Sequence, residues 1–283
     1  MARLDGRLDG KVAVITGAAS GIGEGAARLF VEEGARVIIG DIQEEKARAL
    51  ASELGPSTRA VIADVRDDAA VAGLVATAVH DFGALDVMFN NAGVGMIEGP
   101  IADASEETFD FVTAINLKGV WLGIKHAARQ MRAQGRGGSI ISTASVAGLH
   151  GFERQAIYGM TKAGVISLTR SAAAEGGPHG VRANCICPGG IITALSAPFP
   201  RAEEIMRDRF SAIHPIGREG TPRDIAQAAL WLAGDESTLV TGQAIAVDGG
   251  WSTVDARWQT LLGQMNPARL SGEAPDQTPA DTD

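Results

Sequence analysis

Tyrosine occurs once in this 283-residue chain, cysteine twice and histidine five times. Two cysteines make no framework for a disulfide-stapled fold, and Cys185 and Cys187 alternate along what reads as a strand. Side chains two apart on a strand share a face without the approach a relaxed disulfide needs, so both are expected as free core thiols. His80, His126, His150, His179 and His214 show no metal-ligand spacing among themselves or with the cysteines, and no metal is expected. Positive charge is scarce as well: 25 Lys and Arg against 34 Asp and Glu leave a net charge of −9. A nucleic acid or an anionic membrane surface needs a basic footprint, so neither is an expected partner. No apolar run approaches the ~20 residues that span a bilayer. The start, Met1 to Gly10, lacks the apolar stretch of a signal peptide, and a soluble cytoplasmic protein is expected.

Hydrophobic residues, by contrast, make up 45% of the chain, enough for the core of one α/β domain. Apolar runs read as buried strands at Lys11–Thr16, Arg36–Asp41, Thr58–Asp64, Leu85–Asn90, Ser139–Thr143, Val181–Cys187 and Ala244–Val247. Between them lie helical patterns at Glu24–Glu33, Gln43–Leu54, Asp67–Phe82, Ser105–Gln134 and Ala156–Glu175, with a capped start at Thr221-Pro-Arg-Asp224. Alternation of this kind predicts βαβ units and a three-layer, doubly wound parallel sheet in a single domain over 9–250. Residues 1–8 read as a tail and 251–283 as an extension, disordered from about 271, where almost nothing can be buried. Within the extension Trp258, Leu261, Leu262 and Met265 recur on one face of a short helix. That helix must dock to persist, either on its own subunit or over a neighbour's pocket.

Thr16-Gly17-Ala-Ala-Ser20-Gly21-Ile22-Gly23 follows the first strand and opens the first helix, the context of a phosphate-binding loop. Gly17 permits the tight turn, Gly21 lets a pyrophosphate approach the backbone, and Gly23 allows close helix–strand packing. Asp41 ends the second strand, where a carboxylate hydrogen-bonds the ribose hydroxyls of NAD and repels the 2′-phosphate of NADP. Neither Ser20 nor Ile42 offers a cation to offset that repulsion. Asp64 and Val65 end the third strand at a position suited to adenine, and Asn90-Asn91-Ala92-Gly93 ends the fourth.

The lone tyrosine heads Tyr158-Gly-Met-Thr-Lys162, thirteen residues after Ser145. Residues four apart on a helix share a face, so the ammonium can lie under the phenol or under a ligand beside it. A nearby cation favours the phenolate and brings the phenol toward the pH at which a general acid/base works. Ser145 could then hold the oxygen of the reacting group.

Taken with Asn116 and Pro188-Gly189, these motifs resemble the short-chain dehydrogenase/reductase family, from about Leu8 to Gly250, with no departure at a catalytic position. The resemblance implies a Rossmann fold, Tyr158 as general acid/base, and Ser145 as the group that orients and polarises the substrate oxygen. Lys162 would bind the nicotinamide ribose and lower the phenol's pKa, and Asn116 would hold a water linking Lys162 to solvent. Ile191 and Thr193, after Pro188-Gly189, would contact the nicotinamide carboxamide; Thr193 could equally cap a following helix. The resemblance also implies a homotetramer paired through the Ser105–Gln134 and Ala156–Glu175 helices.

Val94, Met96, Ile97, Leu149, His150, Phe152 and the long loop Gly190–Pro200, a mobile lid, are expected to line the substrate pocket. This inventory favours NAD-dependent turnover of an uncharged, hydrophobic secondary alcohol or ketone. Two alternatives stand beside it. One is an NADPH-dependent 3-oxoacyl reductase docking an acidic carrier protein on Arg129, Arg132 and Arg136; the other is a nucleotide-binding regulator without turnover.

Overall fold

Val12 to Thr16 are buried at every position and form β1, an interior strand of a seven-stranded parallel sheet. The structure is a computed structural model that describes residues 6–95, 98–197 and 199–253. After β1 come α1 (Gly21–Glu32), β2 (Arg36–Asp41), α2 (Glu44–Leu54), β3 (Thr58–Ile62), α3 (Asp68–Phe82) and β4 (Val87–Asn90). The second half runs α4 (Glu106–Thr113), α5 (Gly119–Gln134), β5 (Gly138–Thr143), α6 (Ala156–Gly176) and β6 (Val181–Pro188). It closes with α7 (Pro200–Ile213), α8 (Pro222–Ala233) and β7 (Ala244–Val247). The strand order is β3-β2-β1-β4-β5-β6-β7, with every pairing parallel.

One core lies on the sheet face covered by α1, α2 and α8, around Leu29, Phe30, Leu50, Ile225 and Leu230. The other lies beneath α3, α5 and α6, around Leu74, Met88, Met131 and Val165. Strands so covered must be apolar on both sides, which is why they read as unbroken runs. Chain order reverses between β1 and β4, and a crevice opens there at the carboxyl ends of the strands. Cys185 and Cys187 are free and buried in β6. No helix among the described residues is long and apolar enough to cross a membrane.

Several boundaries differ from the sequence expectation. β3 stops at Ile62, so Asp64 and Val65 stand beyond it on the connection to α3. The expected Ser105–Gln134 helix is interrupted by a π-helical turn, Ala114–Lys118, which buries Asn116 completely. Such turns insert one residue into a helix and cluster at functional sites. α7 was not anticipated: PRAEEIMRDRFSAI is too polar to signal a buried face, and the helix flanks the crevice mouth. The expected tail is docked by its last residues, with Leu8 buried and Arg7 paired to Glu236 at 2.7 Å. Trp258, Leu261, Leu262, Met265 and the stretch from 271 lie outside the described residues, as do Met96 and Ile97.

Candidate active site

An elongated cavity of about 1450 Å³ runs along the carboxyl ends of β1, β2, β4, β5 and β6. At one end it meets the turn between β1 and α1. Gly17 takes φ +62° there, and a Cβ on it would sit 2.7 Å from the Cα of Ala92. Gly21 is also left-handed, at φ +55°, and a Cβ on it would press on the Thr193 methyl at 3.2 Å. A side chain at either position would be strained and would fill the cradle. Ser20 precedes α1 without capping it, so the helix terminus faces the cavity with its amides available to an anion. Gly23 lies behind the cavity wall, where a Cβ would strike the Gly17 carbonyl.

Asn91 ties this edge of the sheet together. Its Nδ2 donates to the carbonyls of Thr16 and Gly17, both at 3.2 Å, and its Oδ1 accepts from Thr143 Oγ1 at 3.1 Å. Thr16 Oγ1 in turn accepts the amides of Asn91 and Ala92 at 3.0 and 3.1 Å. Farther out, the buried Asp41 carboxylate accepts the N–H of Ala19 and of Gln43, each at 2.9 Å. Asp64, next along the wall, is held by Arg66 at 2.6 Å, and this contact keeps its carboxyl below the usual range.

Toward the middle of the cavity, Ser145, Tyr158 and Lys162 converge from β5 and α6. The half-buried Tyr158 lies beside the Ser145 hydroxyl, and the Lys162 ammonium stands 5.6 Å from the centre of its ring. Lys162 Nζ donates to the Thr143 carbonyl at 2.9 Å and is 3% exposed. The phenol differs from the sequence expectation. Burial pushes its pKa up, and the Ser145 hydrogen bond only partly offsets that; no lowering by Lys162 is seen. Lys162 itself is driven down to about 8 by burial, which Cys187 and Cys185 would oppose only as thiolates. Desolvation outweighs the phenol–ammonium attraction because the ammonium has left water, its hydrogen bond goes to a carbonyl, and the phenol is itself partly buried.

This has a consequence for stability. The folded chain releases the Lys162 proton near pH 8, while the unfolded chain keeps it to 10.5. Below pH 8 the fold therefore carries the cost of a buried ammonium, about 3 kcal/mol from the size of the displacement. Stability rises as pH moves from 8 to 10.5. Lys162→Met removes that cost and loses about 1 kcal/mol of hydrogen bonding. We expect the cofactor-free variant to melt about 3–6 °C higher at pH 7, with the gain shrinking as pH rises toward 10.5. Calorimetry at the two pH values checks this, and a lower Tm at pH 7 would contradict it.

Asn116 does not face the cavity. Its Oδ1 accepts the Val94 amide and its Nδ2 donates to the Val94 carbonyl, both at 2.8 Å. It thereby pins the loop after β4 next to Lys162; a Cβ on Gly93 would stand 3.6 Å from Lys162 Nζ. Val65, Ala92, Pro188, Gly189, Ile191 and Thr193 all border the cavity, though the Ile191 side chain packs into the core.

The far end of the cavity is mostly apolar, although Glu153, Arg201 and Arg209 also border the cavity. Phe152 and Val94 line it as expected, whereas Leu149 and His150 do not; His150 Nε2 bonds the Ser252 carbonyl at 3.0 Å. Several cavity walls escaped sequence reasoning: Phe111, Phe210 and Trp251, and Ile115, which packs with Val65 and Ala92 toward the nucleotide end. Gly249 and Gly250, at φ +64° and +92°, fold Trp251 back toward the cavity. There Trp251 packs on Phe152 at 5.2 Å and on His214 at 6.2 Å, with Phe210 stacked on His214 at 6.3 Å. A tryptophan after two glycines at the end of the last strand was the available signal. Buried His214 holds the cofactor-side loop, accepting the Gly190 amide on Nε2 at 3.0 Å and bonding the Arg218 carbonyl through Nδ1 at 2.8 Å.

A family model described as enoyl-(acyl carrier protein) reductase matches residues 17–252. The chain belongs to the short-chain dehydrogenase/reductase family. It is 45% identical over 258 residues to momilactone A synthase of Oryza sativa subsp. japonica, covering 88% of this chain and 93% of that protein. It is 46% identical over 250 residues to the mitochondrial borneol dehydrogenase of Lavandula x intermedia, with the same coverage of 88% and 93%. The crystal structure of levodione reductase matches the fold with a TM-score of 0.82 at 33% identity, covering 87% of this chain and 99% of that one. The Rossmann fold is therefore shared, and membership implies an oxidoreductase with a nicotinamide cofactor. The glycine cradle and the open α1 terminus fit such a group.

Proposed function

We propose that the protein interconverts hydrophobic, uncharged secondary alcohols and their ketones with NAD(H), using Tyr158 as general acid/base. The observation that carries this reading is the convergence of Ser145, Tyr158 and Lys162 on a cavity whose other end is walled by Phe111, Phe152, Phe210 and Trp251. When bound, NAD accepts or returns the hydride, and its oxidised ring adds a positive charge that favours a phenolate. The chain's own residues manage the remaining proton. Ser145 Oγ hydrogen-bonds the substrate oxygen, and the Tyr158 phenol oxygen takes or gives its proton. Lys162 supplies positive charge beneath the phenol and a donor toward the ribose. Both ends of the Asn116 amide are engaged by Val94, so its side chain holds the loop after β4 rather than the expected water.

The relatives lend support, since borneol dehydrogenase and levodione reductase bear the names of a cyclic alcohol and a cyclic ketone. The test is a panel of cyclic secondary alcohols, borneol and cyclohexanol included, followed by NADH absorbance. Tight NAD binding with no NADH from any alcohol would favour the regulator instead. The carrier-protein alternative loses ground because Arg136 pairs with Asp86 at 2.7 Å. Trp121 of α5, Phe109 of α4 and Met160 of α6 are 42–45% exposed, which supports pairing with further copies in a homotetramer. A monomer mass by light scattering would overturn that. The free thiols of Cys185 and Cys187 suit a reducing compartment such as the expected cytoplasm.

A further inference from the structure

The helix that carries Tyr158 is not capped from within its own sequence. Gln155 precedes α6 and makes no side-chain bond to it. The acceptors come instead from about sixty residues away. Glu98 Oε2 accepts the N–H of Ile157 at 2.7 Å, and Glu98 Oε1 accepts the N–H of Tyr158 at 2.6 Å. The Glu98 amide donates to the Arg154 carbonyl at 3.0 Å, closing the loop onto the start of the helix. Arg154 has φ +64°, the one positive φ among the described non-glycine residues, so the chain is forced into this turn. Val94, in the same loop, is held at both its amide and its carbonyl by Asn116. The segment after β4 is thus fastened at one end beside Lys162 and at the other to the main chain of Tyr158.

A helix start carries roughly half a positive charge, and a carboxylate on its amides cancels that charge while fixing the geometry of the first turn. We propose that Glu98 is a positioning residue for Tyr158, holding the first turn of α6 and setting the field that this helix start exerts on the phenol. The proposal rests on the reading of Tyr158 as the acid/base. Other charges bordering the cavity are Lys162 on α6, Glu153 just before it, Arg201 and Arg209 on α7, and Asp41, Asp64 and Arg66 at the nucleotide end. Cys185 and Cys187 of β6 would act on Lys162 only as thiolates. None of these bonds the Tyr158 amide.

Because the chain contains one tyrosine, a [ζ-13C]tyrosine label gives a single resonance that reports Tyr158 ionisation without any substrate. Glu98→Gln and Glu98→Ala remove the negative charge, so the phenol should ionise at lower pH in both, by about 0.5–1 unit. Looser placement should lower kcat about tenfold in Glu98→Ala and less in Glu98→Gln, with NAD affinity kept within about twofold, since Glu98 does not border the cofactor cavity. A titration midpoint unchanged from the wild type in Glu98→Gln overturns the proposal, whatever happens to Tm, because a plain helix cap would alter melting alone. If Glu98→Ala does not fold, Glu98→Gln decides. Tyr158→Phe separates the two claims. Retained turnover there removes the acid/base reading, whereas an inactive Tyr158→Phe beside unshifted Glu98 variants removes the Glu98 proposal alone.

Discussion

Tyr158→Phe is expected to cut turnover by at least ~10² while leaving the fold and NAD binding in place. The substitution deletes one oxygen. The main-chain contacts of Tyr158 stay, since its amide is bound by Glu98 and its carbonyl accepts Thr161 Oγ1 at 2.7 Å. Among the described residues the deleted group's hydrogen-bond partner is the Ser145 hydroxyl, and burial already disfavours its charged form. Stability should therefore hold or rise slightly, so a loss of activity cannot be blamed on unfolding. Steady-state kinetics with a substrate from the alcohol panel, beside a melting curve, provide the check. Near-normal kcat in a folded variant would end the Tyr158 assignment.

NAD should be preferred over NADP by about 2–4 kcal/mol, or roughly 30- to 1000-fold in kcat/KM. The geometry sharpens the reason. Asp41 is 5% exposed and its carboxylate is fixed by two main-chain amides, so it cannot swing away from an incoming 2′-phosphate. The cation lining the same stretch of cavity, Arg66, is engaged by Asp64 through Nε and Nη2 at 2.6–3.0 Å. Asp41→Asn keeps one acceptor and removes the charge, and should narrow the preference about tenfold. Equal kcat/KM for the two cofactors in the wild type would show that Asp41 does not face the ribose.

The strands and the nucleotide loop were legible because buried parallel strands admit few polar residues and a phosphate turn demands glycine at fixed places. Gly17, Asp41, Asn91, Ser145, Tyr158, Lys162 and Gly189 all border one cavity, whereas Gly23 and Asn116 do not. What the sequence hid follows a pattern. α7 was missed because it covers a crevice mouth rather than the sheet, so its apolar face is thin. The π turn at Asn116 was invisible because one inserted residue scarcely disturbs a helical period over 29 positions. Glu98 carried no local signal, since its partners lie 59 and 60 residues away. The direction of the Tyr158 displacement was misjudged because spacing reveals a neighbouring charge but not the loss of solvent around both groups.

Asn91 has a thermodynamic consequence. One side-chain amide joins the ends of β1 and β5 to the start of the loop after β4 through three bonds within the protein. The floor of the crevice is therefore assembled when the chain folds, and its conformational entropy is lost then, not when a dinucleotide arrives. Preorganisation of this kind leaves more of each contact free energy to appear as affinity. Weakening Asn91 would shift that ordering into the binding step, so its effect would be read as slower, weaker cofactor capture even though these three bonds lie within the protein.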